Sequence, residues 1–111
     1  MSGLPTAWVF LLLAGACEIV ATTVFRYAEG FTKLGPSIAS IVIGLFSFYL
    51  LNRSLAGVPL GTAYAVWTGI GAAGTALIGI AFYAEPVNTM RIICLTMLVA
   101  GILGLKLFAP S

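Results

Sequence analysis

Charged side chains are scarce in this 111-residue sequence, where three acidic and five basic residues make up 7% of the chain. Soluble domains carry about a quarter of their residues as charged groups, so this composition excludes an ordinary soluble domain. Hydrophobic residues make up 61%, which leaves room for about four membrane spans of roughly 20 residues each. We therefore predict an all-α, multi-pass membrane protein with a single four-helix domain over residues 1–111.

Histidine is absent, and the two cysteines, Cys17 and Cys94, both lie in apolar runs. These residues are too few for a zinc site, and a disulfide at membrane depth is not expected. Both cysteines fit the pattern of small buried hydrophobic residues. The net charge of +2 is small and scattered, which argues against nucleic acid as a partner and against a lipid-headgroup site. We predict no metal, no cofactor and no enzymatic activity.

Four apolar segments separated by short loops predict the membrane spans. We expect helices over residues 6–25, 36–51, 61–83 and 89–108. The third segment contains several glycines, of which Gly69 and Gly71 lie near its middle. Glycines in a membrane helix permit either a hinge or the close approach of another helix, and both interpretations stay open here.

One ionisable side chain, Glu18, lies inside the first span, a little past its middle. A charged carboxylate at that depth costs several kcal/mol, so an intramembrane acid is by default a functional-site hypothesis. The residues three and four positions away share its helical face. All of them are small: Ala14, Gly15, Ala21 and Thr22. Small residues leave space for a ligand, and they equally allow another helix to approach.

Three further side chains are candidates for the lining of a site around Glu18. Tyr64 and Trp67 are three residues apart on one face of the third helix, and Trp67 lies too deep for an interfacial belt. Ser47 in the second helix is placed to reach a carboxylate on another helix, although a bond to its own helix carbonyl explains it equally well. Aromatic faces suit an organic cation, whereas an inorganic cation requires more oxygen ligands than this chain offers.

The distribution of positive charge barely selects an orientation in the membrane. With four spans, the positive residues on one side are Arg53 and Lys106, and those on the other are Arg26, Lys33 and Arg91. Such a weak bias predicts that copies insert both ways up. One chain has a single membrane carboxylate and too little mass to enclose a pathway. We therefore expect a homodimer, with an antiparallel arrangement as one option, in which two Glu18 side chains share one chamber.

Two carboxylates in one chamber titrate as a unit. They hold either protons or a cation, since leaving the pair charged and empty is costly. If the empty site does not readily reorient, proton flow in one direction drives cation flow in the other, which predicts a proton/cation antiporter. One rival class is a channel or the subunit of a proton-conducting ring, although a ring subunit needs fewer helices. The other is a non-transporting assembly protein in which Glu18 forms hydrogen bonds between helices.

Four stretches together resemble the small multidrug resistance family of proton-coupled exporters. They are Gly15–Glu18, Glu29–Lys33, Ser47–Leu51 and Pro59–Gly71. The resemblance covers nearly the whole chain. It implies a four-helix protomer that forms an antiparallel, dual-topology homodimer in the bacterial inner membrane.

The same resemblance implies roles for individual residues. It implies Glu18 as the shared proton and substrate site, Tyr64 and Trp67 as lining aromatics, and Ser47 as a hydrogen-bonding neighbour. It also implies that the fourth helix makes the main dimer contact, which we assign to Gly101 and Gly104. The partners expected are a second copy of the chain, protons, an organic cation and the lipid bilayer.

The features that distinguish subtypes within the family are mixed. Residues 67–71, 85–86 and 104–106 are similar to the guanidinium-exporter branch, which usually has a Trp where this chain has Ala21. Residues 21–23 and 29–31 look more like the quaternary-ammonium and multidrug branch, which often has a Tyr where this chain has Gly44. Because the missing Trp widens the chamber, we predict a broad exporter of quaternary ammonium and lipophilic cations. Guanidinium export is the alternative.

Overall fold

The computed structural model describes residues 3–108, and this part of the chain forms four α-helices. They are α1 (Gly3–Arg26), α2 (Leu34–Ser54), α3 (Leu60–Phe82) and α4 (Thr89–Leu107). Each helix is long and apolar enough to cross a membrane, which requires about 20 residues. The predicted four-span, all-α architecture is confirmed, and the chain is a multi-pass membrane protein.

Two helix ends differ from the sequence prediction for identifiable reasons. Helix α2 begins at Leu34, because the first turn of a helix tolerates a proline, here Pro36, whose missing N–H has no partner there anyway. At its other end α2 continues through Ser54, where we expected a loop, and the Arg53 guanidinium bonds the Tyr49 hydroxyl at 2.9 Å. The first glycine and proline after this stretch are Gly57 and Pro59. Because no helix-breaking residue precedes them, the polar residues 52–54 remain helical.

Helix α1 is the central element of the bundle, because it packs along both α2 and α3. The core lies between the first half of α1 and the facing turns of the other two helices, where Leu11, Ala14 and Val66 are fully buried. Among the described helices α4 packs on α3, apart from the contact of Lys106 with Trp8 of α1, and it has no buried residue. One face of α4 is therefore available to lipid or to another copy of the chain.

Glycines set the distance between neighbouring helices at several places, among them Gly15, Gly69 and Gly71. A Cβ atom on Gly15 would lie 2.7 Å from Cγ2 of Ile70 in α3, and one on Gly69 would lie 2.9 Å from Cδ1 of Ile102 in α4. A Cβ on Gly71 would lie 2.8 Å from Cγ of Glu18. Helix α3 runs through Gly69 and Gly71 without interruption. These glycines therefore act in close packing here, and a hinge at this point stays a prediction.

The space opposite Gly101 and Gly104 of α4 is open, since no described atom beyond the adjoining backbone of α4 lies within 4 Å of a Cβ built on either residue. Both glycines are exposed in the single chain. The face that we assigned to a dimer contact is thus free of contacts within the described part of this protomer.

Basic side chains at one end of the bundle lie on aromatic rings. The guanidinium carbon of Arg53 lies 4.8 Å from the ring centroid of Phe10, and Nζ of Lys106 lies 5.1 Å from that of Trp8. Cation–π contacts of this kind contribute about 0.5–1 kcal/mol each at exposed sites. Arg53 and Lys106 thus meet at the same end of the bundle, as their positions in the sequence predict.

Candidate functional site

Glu18 lies in the wall of a pocket of about 290 Å³ between α1 and α2. Its Cγ packs against the backbone of Gly71 on α3, which fixes the side-chain stem on one side. The other residues that line the pocket are mostly apolar or hydroxyl-bearing: Ala21, Thr22, Phe25, Phe31, Ser40, Ile41 and Gly44. Glu18 is therefore the one ionisable group among the lining residues, and in its ionised form its charge would complement a cation.

The four small neighbours of Glu18 divide into two pairs. Ala21 and Thr22, one turn after Glu18, line its pocket. Ala14, one turn before, is fully buried in the core, and Gly15 packs against Ile70 of α3. For Ala14 and Gly15 the single chain fits the other interpretation, the close approach of another helix, because the first half of α1 is enclosed by α2 and α3. That all four line the site stays a prediction.

Ser47 connects three helices through its buried hydroxyl. The hydroxyl donates a hydrogen bond to the Ala14 carbonyl of α1 at 2.7 Å, and it accepts one from Nε1 of Trp67 in α3 at 2.9 Å. Neither of the two partners that we considered, the Glu18 carboxylate and a carbonyl of its own helix, is the acceptor. The reason is geometric, since close packing of α1 on α2 brings the backbone of Ala14 nearer than any side chain.

The aromatic candidates cluster around Trp67 but do not share the pocket of Glu18. The ring centroid of Trp67 lies 5.7 Å from that of Tyr64 and 6.0 Å from that of Phe48. Tyr64 is 55% exposed and lines a separate groove of about 170 Å³ beside α2. Neither Tyr64 nor Trp67 lines the 290 Å³ pocket, so one chain does not bring the carboxylate and these two aromatics together.

Sequence reasoning missed the aromatic edge of the pocket. Three successive residues, Glu29, Gly30 and Phe31, adopt φ values of 48°, 72° and 68°. This is the left-handed backbone conformation, which residues other than glycine rarely adopt. This turn folds the loop back so that the Phe31 ring lies 5.2 Å from the Phe25 ring. The glycine flanked by Glu and Phe signalled a turn, but nothing in the sequence pattern showed that Phe31 would return to the pocket.

Comparison with known proteins gives a consistent family assignment. Residues 6–98 match the family described as Small Multidrug Resistance protein. The chain is 48% identical over 101 residues to the guanidinium exporter of Proteus vulgaris, with 91% of this chain and 97% of the relative covered. It is 45% identical over 103 residues to the guanidinium exporter of Salmonella typhimurium, with 93% and 98% covered. It is 44% identical over 101 residues to the guanidinium exporter of Escherichia coli, with 91% and 96% covered.

We expect Ser47→Ala to destabilise the bundle, because it leaves the Trp67 N–H without its acceptor in a buried position. An unpaired buried donor costs about 1–3 kcal/mol. Denaturant unfolding of the purified protein in detergent measures this loss. Ser54→Ala is the matched control, since Ser54 is also fully buried but bonds only the Leu51 carbonyl of its own helix. Equal losses in the two variants would show that the interhelical bonds of Ser47 add nothing.

Proposed function

This chain belongs to the small multidrug resistance family, and on that premise we propose that it exports guanidinium and similar small cations in exchange for protons. The observation that carries the proposal is the position of Glu18, a carboxylate inside a membrane-spanning helix that lines an open pocket. Several relatives that match over nearly their whole length are named guanidinium exporters. These names favour guanidinium, our alternative from the sequence, over the broad quaternary-ammonium range that we preferred.

Guanidinium suits this pocket because of its donors and its shape. It is planar and presents only N–H donors, and a carboxylate accepts two of them in parallel. The Thr22 hydroxyl donates to the Glu18 carbonyl at 2.8 Å, which leaves its lone pairs free to accept. Apolar side chains such as Phe25 and Ile41 form the rest of the wall, so they contact the faces of a flat cation without competing for its donors.

Exchange follows from competition for one carboxylate. Either a proton or a guanidinium ion neutralises Glu18, whereas leaving it charged and empty in a membrane is costly. We assume a carrier whose site changes the membrane side to which it is open only when Glu18 is neutralised. Such a carrier moves a cation out of the cell in exchange for protons that move in. The apolar surroundings of the pocket increase this cost, since they offer the bare carboxylate no compensating charge.

A second copy of the chain completes the proposed site. Helix α4 has no buried residue, and Gly101 and Gly104 are open, so α4 supplies a face for a homodimer contact. The nearly balanced positive charge on the two sides supports an antiparallel, dual-topology pair. Tyr64 and Trp67 do not line the pocket of their own chain, and in this proposal they line the shared chamber. As a proton-driven exporter, the dimer would work in the bacterial inner membrane.

A second candidate function is the export of bulkier quaternary ammonium ions. One observation favours it, because both Ala21 and Gly44 line the pocket of Glu18 and neither fills it. A Cβ on Gly44 would meet no atom within 4 Å. The pocket in a single chain is therefore wide enough for more than guanidinium.

We expect Glu18→Gln to abolish proton-driven guanidinium transport while the protein still folds, because an amide forms hydrogen bonds but exchanges no proton. The measurement is transport by purified protein in liposomes under an imposed pH gradient, with guanidinium and a tetraalkylammonium ion compared. Glu29→Gln is the matched control, since it removes an exposed loop carboxylate and should retain transport.

The other possible outcomes of this transport experiment would support a different role for Glu18, a different class of protein or a different substrate. Coupled transport that survives Glu18→Gln would contradict the role of Glu18. Current without saturation or counter-transport would assign the protein to the channels. Wild-type transport of tetraalkylammonium but not of guanidinium would select the second candidate function.

We expect Ala21→Trp to narrow the pocket and to weaken binding of bulky cations about tenfold more than binding of guanidinium, since overpacking costs about 1–3 kcal/mol. Competition binding to the purified protein measures both affinities. Ala56→Trp, in the exposed loop between α2 and α3, is the control and should change neither. Equal losses for the two cations would show that position 21 does not face the bound cation.

A further inference from the structure

Helices α1 and α3 pack against each other along a seam. This seam lies on the opposite side of Glu18 from the 290 Å³ pocket between α1 and α2. The contacts advance in the same direction along both helices, from Glu18 on Gly71 to Arg26 on Tyr83. Beyond the first of these contacts the seam opens into a second pocket of about 190 Å³, here called the seam pocket. Its polar lining consists of Thr22, Thr23 and Arg26 from α1, Thr75 from α3, and Tyr83 and Glu85 from the segment after α3.

The hydroxyl of Thr75 is the unusual feature of the seam pocket. Its Oγ1 is buried and forms no hydrogen bond to any residue that the structure describes. The hydroxyls of Thr22 and Thr23 donate to the carbonyls of Glu18 and Ile19, each at 2.8 Å, so their lone pairs remain as acceptors. An unpaired buried hydroxyl is costly, and water is its ordinary partner where the site is polar and large enough. The seam pocket meets both conditions.

The seam pocket adjoins the pocket of Glu18. Thr22 and Phe25 line both of them. On α3, Thr75 lies one helical turn after Gly71, the residue that the Glu18 stem contacts, and one turn is about 5.4 Å. Glu18 itself does not line the seam pocket, so water held at Thr75 would reach the pocket of Glu18 past Thr22, which lines both pockets.

The charges at the mouth of the seam pocket disfavour an organic cation. Arg91 pairs with Glu85 at 2.8 Å, and the guanidinium carbon of Arg26 lies 3.8 Å from the ring centroid of Tyr83. A hydrogen bond with Tyr27 raises the pKa of Tyr83, so this hydroxyl stays neutral at physiological pH. Because its one carboxylate is already paired with Arg91, the mouth offers an organic cation no free anionic partner, whereas water forms hydrogen bonds with the same groups.

We propose that the seam pocket is a hydrated proton path to Glu18, separate from the α1–α2 pocket through which the organic cation reaches the same carboxylate. This proposal rests on the proposed function. A proton from bulk water at the Tyr83 end passes along water hydrogen-bonded to Thr75 and binds a Glu18 carboxylate oxygen. The carboxyl group becomes neutral, and the displaced cation leaves through the other pocket. After the carrier has changed its side of access, the carboxyl releases its proton to water on the opposite side of the membrane as a new cation binds, so protons cross the membrane in exchange for the cation.

We expect Thr75→Val to slow proton exchange with Glu18 about fivefold, the effect of removing one hydrogen bond from the bridging water. Stopped-flow measurement with a pH-sensitive dye gives the rate of proton release when guanidinium is added to the protein in liposomes. The equilibrium affinity for guanidinium at fixed pH should stay the same, because the cation occupies the other pocket. Thr75→Ser should restore the rate, and Thr68→Val, an exposed hydroxyl on the same helix, should leave it unchanged.

A second measurement keeps the test decisive if Thr75→Val fails to fold. Thr75→Cys in a background without Cys17 and Cys94 places a thiol in the seam pocket, and Leu77→Cys places one on the exposed apolar face of α3. A membrane-impermeant thiol reagent should modify position 75 and not position 77. Equal reactivity at the two positions would overturn the hydrated path.

The results separate this proposal from the proposed function. If wild-type protein transports guanidinium and Thr75→Val releases protons at the wild-type rate, the seam path is wrong while the exporter stands. If Thr75→Val instead changes guanidinium affinity as much as the proton rate, Thr75 belongs to the cation site and the separate path is also wrong. Failure of the proposed function itself would show in the wild type, which would then transport no cation in a Glu18-dependent way.

Discussion

A single carboxylate held among apolar helices is the constraint on which this structure depends. Glu18 has no neighbouring basic residue in its pocket, and Gly71 permits its stem to lie against the backbone of α3. Placing an acid at this depth is costly, and the fold offsets the cost neither with an ion pair nor with a metal ligand set in the described residues. The carboxylate is therefore without a fixed partner among the described residues, and in the proposed function that availability is the basis for exchange.

The rest of the bundle positions this carboxylate. Glycines bring α1 close to α3, and the Ser47 hydroxyl joins α1 and α3 through α2. These contacts enclose the first half of α1, whereas its second half borders two pockets, one against α2 and one against α3. Glu18 stands at the transition between the two halves. The two pockets meet at Thr22 and Phe25, one and two turns after Glu18 on the same helix.

Composition and periodicity alone predicted the number of helices, because the lack of charge and the length of the apolar runs leave few other folds. They also placed Glu18 inside a membrane span, where the structure has it. They did not predict which small residues face a pocket and which are enclosed, since that depends on how tightly α1 packs at each turn. The bond from Ser47 to the Ala14 carbonyl could not be found in a side-chain pattern, because its acceptor is backbone. The return of Phe31 to the pocket depends on three left-handed residues in succession, which no sequence pattern specified.

The central claim is that a proton and guanidinium compete for Glu18. The most direct test is to add guanidinium to purified protein in weakly buffered detergent solution near neutral pH and to measure the protons released as the cation binds. Our account predicts proton release that saturates with guanidinium binding in the wild-type protein and is absent in Glu18→Gln. Binding of guanidinium without release of protons, or the same release from Glu18→Gln, would contradict it.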